Sequence, residues 1–190
     1  MICRNGTTWS QLRRIASLGA MLFTALVASA QTGREYDLKA AFLFNLAQFV
    51  EWPPSASPPL DGPFVIGVLG QDPFGAILDE IVRHETVQGR PIVVQRFRSV
   101  EGVGRCQILF ISASEDARAR ETLAALAGRG LLTVGESEPV AAAGSVIRFL
   151  VVNNKLRLRI NADAASREQL KISSKLLRLA EVVGQGRTSR

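Results

Sequence analysis

The stretch Ala40–Pro54, AAFLFNLAQFVEWPP, constrains the fold more than any other part of the chain. Phe42, Leu46, Phe49 and Val50 recur at helical spacing, and Leu43, Phe44 and Ala47 carry the apolar surface round to a second side. Only Asn45, Gln48 and Glu51, stepped by three residues, keep a narrow polar seam. The pattern predicts an opening helix over residues 34–52. Trp52 ends it, because a residue before proline is pushed out of the helical region and Pro53-Pro54 cannot continue a helix. A helix this apolar has to be covered on more than one side, either in a core or at an interface.

The runs that follow supply the cover. After a proline-rich surface connector (53–62), PFVIGVLG at 63–70 is nearly continuous and rich in β-branched residues, as in a strand buried on both faces. Asp72 stands as an N-cap with Pro73 at the first helical position, predicting a helix to about His84. PIVVQRF (91–97), CQILFIS (106–112) and LLTV (131–134) read as further strands, with only a compact loop between 97 and 106. Ser114 can cap the helix between the last two of these, with Leu123, Leu126 and Ala127 toward the core and Gly128–Gly130 as its stop. Alternating strands and helices argue an α/β domain with a largely parallel sheet. The pattern then changes: residues 145–161 form a β-hairpin turning at Asn153-Asn154, since asparagine tolerates left-handed backbone. In its second strand Leu156, Leu158 and Ile160 point one way and Lys155, Arg157 and Arg159 the other, which places that strand near a sheet edge. Asn161–Ser166 reads as a turn or short helix. A last helix is expected over Ser173–Val183, burying Leu176, Leu177, Ala180 and Val183, before a frayed tail, Gln185–Arg190.

The first thirty residues read as a signal peptide. Arg4, Arg13 and Arg14 precede an uncharged run, Ile15–Val27, and Ala28-Ser29-Ala30 offers a small-x-small site, with cleavage expected between Ala30 and Gln31. The run is short for a membrane span. The remaining chain, 31–190, has the size of one domain. Removing the three arginines lowers the formal charge from +6 to +3, and the basic residues are scattered, so nucleic acid is not the expected partner. Cys3 leaves with the peptide. The surviving Cys106 is buried and inert, paired between chains, or reactive; its place at the head of an apolar run favours a small core residue.

Catalytic machinery is hard to find. Gly67 to Gly75 lacks the spacing of a dinucleotide or phosphate loop. The single histidine, His84, reads as a solvated helix end, and no serine stands in a nucleophile-elbow context. One histidine and one cysteine argue against a transition-metal site, and no cofactor is expected. Glu115-Asp116, Glu136 and Glu138 read as solvated carboxylates. The best chemical recognition surface is the basic face of Arg157 and Arg159 beside Arg148; an ordinary wet sheet face explains it equally well, and the arginines repel unless acidic groups compensate.

Tyr36–Asn45 leading to Phe49-Val50-Glu51-Trp52-Pro53, then Val65–Gly70, Gly89–Ile92, Cys106–Ile111, Leu132–Val134, Gly144–Ile147, Ile160-Asn161 and Leu170–Ala180 together resemble the YfiR family, in order and over the whole exported chain. The resemblance implies a three-layer α/β/α sandwich with a mostly parallel sheet and a C-terminal antiparallel β-hairpin. It implies a non-enzymatic periplasmic protein that binds the periplasmic domain of an inner-membrane diguanylate cyclase and holds it inactive. It further implies relief by an outer-membrane peptidoglycan-binding lipoprotein, and homodimerisation. Redox control through an intramolecular disulfide is not carried over, because only Cys106 remains. Ile147, Arg148, Arg159 and Ala165 are the residues expected to form the partner surface. The rival reading is a periplasmic small-ligand-binding module serving a transporter or sensor kinase. It requires a polar pocket at the strand C-termini, near Gly70–Asp72, Ser112–Ser114 or Gly135.

Overall fold

The structure, a computed structural model, describes residues 33–56 and 62–184. The expected signal peptide with its Ala30–Gln31 cleavage point, part of the proline-rich connector and the C-terminal tail lie outside them. The chain divides into Met1–Tyr36 and Asp37–Arg190; of the first unit only one helical turn is described, and the rest of this account concerns the second.

The opening helix, α1, spans 33–46, shorter than the apolar pattern predicts. A turn over 47–49 releases the chain into a two-residue strand, β1 (Val50–Glu51). The helix stops early because Val50 and Glu51 extend to pair antiparallel with Ile172 and Lys171 of β9 (Lys171–Ile172). The amide of Ser173 closes that ladder onto the Phe49 carbonyl at 2.8 Å. Leu43, Leu46, Ala47 and Val50 are buried, while Asn45, Gln48 and Glu51 face solvent as the polar seam predicts. Trp52 then donates its indole N–H to the Gln107 carbonyl at 2.9 Å and packs edge-on to Phe64, 5.2 Å between centroids.

β2 (Phe64–Leu69) is buried at every position, as a central strand covered on both faces must be. Asp72 does not cap the next helix. Its carboxylate accepts from the Phe74 amide at 2.8 Å and binds Arg96, so α2 (Ala76–Val82) starts only after Gly75. Between α2 and β4 (Arg90–Phe97) a short strand, β3 (Thr86–Val87), forms an edge hairpin turned by Gln88 and Gly89, both at positive φ. A compact connection holding one 3-10 turn (Val100–Gly102) leads to β5 (Ile108–Ile111). Ser112, not Ser114, caps the following 3-10 segment (Ala113–Arg118), which runs into α3 (Ala119–Leu126). Leu126 is buried and Leu123 packs on the core, but Ala127 is exposed. After β6 (Leu132–Gly135) comes α4 (Glu138–Ala142), capped by Ser137 with a proline in its first turn. The hairpin follows as β7 (Ile147–Val152) and β8 (Lys155–Asn161), with Asn153 and Asn154 at φ of 51° and 60°.

The C-terminal region departs most from expectation. Asn161 caps α5 (Ala162–Arg167), as the turn-or-helix reading allows. The long last helix does not form. In its place stand β9, a four-residue helix α6 (Ser174–Leu177) and an edge strand β10 (Glu181–Val183). The apolar spacing of Leu176, Leu177, Ala180 and Val183 is helical, but β10 pairs parallel with Arg159–Asn161 and covers the β8 edge. Strand pairing outweighs local periodicity here.

The main sheet has eight strands in the order β10-β8-β7-β6-β5-β2-β4-β3, parallel except at β7–β8 and β3–β4. Helices lie around it, giving the expected α/β architecture. On one face Val65, Leu69, Leu109 and Ile111 pack under Val103, Ala119, Leu126 and Val140. On the other, Phe110 meets Phe74 at 4.8 Å and Phe149 meets Phe42 of α1 at 6.5 Å between centroids. Each large apolar side chain buried this way contributes about 1.5–3 kcal/mol.

Candidate functional site

In an open α/β sheet the first place to look is the C-terminal end of the strands where the winding reverses. Here β2 is followed by β4 on one side and β5 on the other, so the reversal falls between β2 and β5. At this crevice the protein's own groups meet closely. Gly70 turns at φ +87°, and a Cβ there would press on the Ser114 hydroxyl and lie 3.0 Å from Glu115 Cγ. Ser114 Oγ accepts from the Gln71 amide at 2.9 Å. Glu115, only 4% exposed, pairs with Arg118 at 3.1 Å. Two open grooves, of about 250 and 340 Å³, lie elsewhere: one among α3, α4 and α5, the other beside β1 and β9. Neither is lined by Gly70–Asp72, Ser112–Ser114 or Gly135, the places the small-ligand reading requires.

The polar groups continue along the same end of the sheet as a chain of pairs. Arg96 bridges Asp72 at 2.7 Å and Asp79 at 2.5 Å and also donates to the Gly75 carbonyl. Its guanidinium holds the Asp79 carboxyl below the usual carboxylate range, and the two aspartates raise Arg96 in turn. Ser137 Oγ donates to Asp116 at 2.5 Å. Lys39, on α1 and 4% exposed, pairs with Glu136 at 2.5 Å. Glu115, Asp116 and Glu136 are therefore not the solvated carboxylates their neighbours in sequence suggest: Glu115 is buried against Arg118 one turn on, and the partners of Asp116 and Glu136 come from elsewhere in the fold. Lys39 carried a readable signal, because it stands one turn before Leu43 on the buried stripe of α1.

Of the four residues expected at a partner surface, Arg148 and Arg159 are brought together as direct cross-strand neighbours. The repulsion between them is compensated within the chain. Arg148 binds Glu138 and donates Nε to the Glu136 carbonyl at 3.2 Å, while Arg159 binds Glu181 of β10 at 3.1 Å. Glu138 and Glu181 remain largely open to solvent. Ile147, next to Arg148 in β7, is 0% exposed and Ala165 of α5 is 5% exposed, so neither is presented to a partner. His84 sits exposed in the turn after α2 at φ 67°. Cys106 is a free, buried thiol. Among the described residues no three His, Cys, Asp or Glu side chains gather as a metal site, and no helix is long and apolar enough to cross a membrane.

These features define an α/β protein whose strand ends are occupied by its own ion pairs and whose distinctive exposed element is a basic hairpin. A family model described as YfiR/HmsC-like matches residues 36–181, and the chain belongs to that family, one of periplasmic regulators of diguanylate cyclase. No curated protein matches the chain. Among solved structures, an ABC domain from Streptococcus pneumonia in complex with L-Trp is similar at 9% identity and a TM-score of 0.48, over 63% of this chain and 55% of its own. A conserved domain protein from Vibrio cholerae is similar at 12% identity and a TM-score of 0.46, over 63% of this chain and 54% of its own.

Proposed function

We propose that the protein is a non-enzymatic periplasmic repressor that binds the periplasmic sensor region of an inner-membrane diguanylate cyclase, holds it inactive and so lowers cyclic-di-GMP. Family membership across residues 36–181 carries this reading. The close contacts and internal ion pairs at the strand ends support it over a small-ligand module. Repression of this kind is differential binding: taking the cyclase from almost wholly active to almost wholly inactive requires the inactive state to be preferred by about 5.5 kcal/mol. Release needs only a competitor for the same surface, for which an outer-membrane peptidoglycan-binding lipoprotein or a second copy of the chain would serve. In this reading cleavage between Ala30 and Gln31 releases the exported chain into the periplasm.

The binding surface in this reading is the base of the hairpin around Arg148 and Arg159, with Ile147 and Ala165 buried and outside the exposed contact. The test exchanges one pair in place. Arg159→Glu with Glu181→Arg keeps an ion pair in the fold while reversing what a partner meets. Capture of the cyclase's periplasmic region is expected to weaken at least about tenfold, the loss of one charge-assisted contact. Cellular cyclic-di-GMP should rise toward the level of a strain lacking the protein, with the thermal melt unchanged. If the exchanged protein represses like wild type, the hairpin base is not the surface. If the wild-type protein changes neither cyclic-di-GMP nor cyclase activity, the repressor reading fails.

A further inference from the structure

The outer half of the hairpin stands free of the sheet. β6 pairs with β7 only through Ile147 and Arg148, and β10 pairs with β8 only from Arg159 onward. Phe149–Val152 and Lys155–Leu158 therefore pair only with each other. Four residues of strand project about 13 Å. Near the base this ribbon is held by Phe42 of α1 against Phe149. At the tip, Val151 is 47% and Val152 49% exposed. Successive residues of a strand point to opposite faces, so each face of the tip carries one exposed valine. Lys155 and Arg157, the cross-strand partners of Val152 and Leu150 on one face, are exposed and hold no ion pair among the described residues. From Phe149 to Ile160 there is no acidic residue.

From this arrangement we propose that the hairpin tip docks on an anionic phospholipid surface, with Val151 and Val152 entering the headgroup layer and Lys155 and Arg157 against the phosphates. A protein partner would cover one face of a ribbon, leaving the other valine in water. A bilayer interface surrounds the tip and accepts both. Apolar side chains backed by unpaired cations are the chemistry that binds such interfaces, and each cation strengthens the attachment to an anionic leaflet. The contact is weak and reversible, with only two valines to insert, and it would raise the concentration of the protein beside a membrane. It does not depend on the repressor reading.

The test is co-sedimentation of the full protein, purified from periplasmic extract, with phosphatidylglycerol–phosphatidylcholine vesicles and with phosphatidylcholine vesicles alone. Binding is expected to the anionic vesicles only, and to fall several-fold between about 0.05 and about 0.5 M NaCl as the charges are screened. Val151→Ser with Val152→Ser, and separately Lys155→Glu with Arg157→Glu, should each lower the bound fraction at least about fivefold, with circular dichroism and melting unchanged. A Val152→Trp reporter should shift its emission to the blue on anionic vesicles alone. Equal binding to both vesicle types, variants that bind like wild type, or no binding at all overturns the proposal. So does loss of cyclase capture by the valine variant in the absence of vesicles, which would make the tip a protein-docking element. Repression is measured separately, so failure here leaves the proposed function standing.

Discussion

Cys106 shows how one buried group sets the pH range in which the fold is strong. It is 2% exposed, and burial pushes its thiol up to about 12, with the nearby Arg129 charge opposing. An unfolded thiol loses its proton near the ordinary value of 9. The folded state keeps that proton when the unfolded state has released it, so rising pH favours unfolding. The contribution is present in full below about pH 9 and is lost as pH climbs toward about 12. Urea unfolding at stepped pH should therefore show wild-type stability falling more steeply than that of Cys106→Ala above about pH 9, by up to about 1.4 kcal/mol per pH unit. In the native protein the thiol should resist a disulfide reagent at neutral pH; reaction as fast as in the unfolded chain would sink the argument. The burial itself was legible, because Cys106 heads the run Gln107-Ile108-Leu109-Phe110-Ile111. The Lys39–Glu136 pair was not, since 97 positions separate the partners and only the fold closes that distance.

At the scale of elements, α4 sits against β6 because Gly135 leaves room for it. A Cβ at Gly135 would lie 2.5 Å from Val140 Cγ1 and 3.1 Å from Val140 Cβ, and Val140 is wholly buried. Gly135→Ala must lift α4, which carries Glu138 and thereby the partner of Arg148. Overpacking of this kind costs about 1–3 kcal/mol. Chemical denaturation should show that loss, and amide exchange should quicken in α4 and at the base of β7 more than in β2. An unchanged midpoint would mean that α4 yields freely and does not brace the hairpin. Elements long enough to declare a period were readable: β2 from its unbroken apolar run, and the hairpin from alternation and its paired asparagines. Those that exist only through pairing were not. β1, β9 and β10 hold two or three residues each, and no period can be read from so few.

Across the whole unit, the start and the finish of the fold depend on each other. β1, directly after α1, pairs with β9, and β10 closes the edge that β8 would otherwise present. Without residues beyond Leu170, the chain would leave Val50 and Glu51 unpaired and expose the backbone of Arg159–Asn161. Ile160 in the middle of that stretch is 0% exposed and would become part of an open edge. Open, apolar strand edges pair with other chains. A protein ending at Leu170 should therefore lose its single sharp urea transition and sediment as oligomers, even though the central strands β2, β5 and β6 are all present. A monomer melting like the full chain would show that the core folds without its C-terminal strands. The candidate surface shares this dependence, because Glu181 of β10 is the group that neutralises Arg159. In the truncated chain Arg159 loses that partner and faces Arg148 uncompensated. The basic surface at the hairpin base thus depends on β10 for its charge balance.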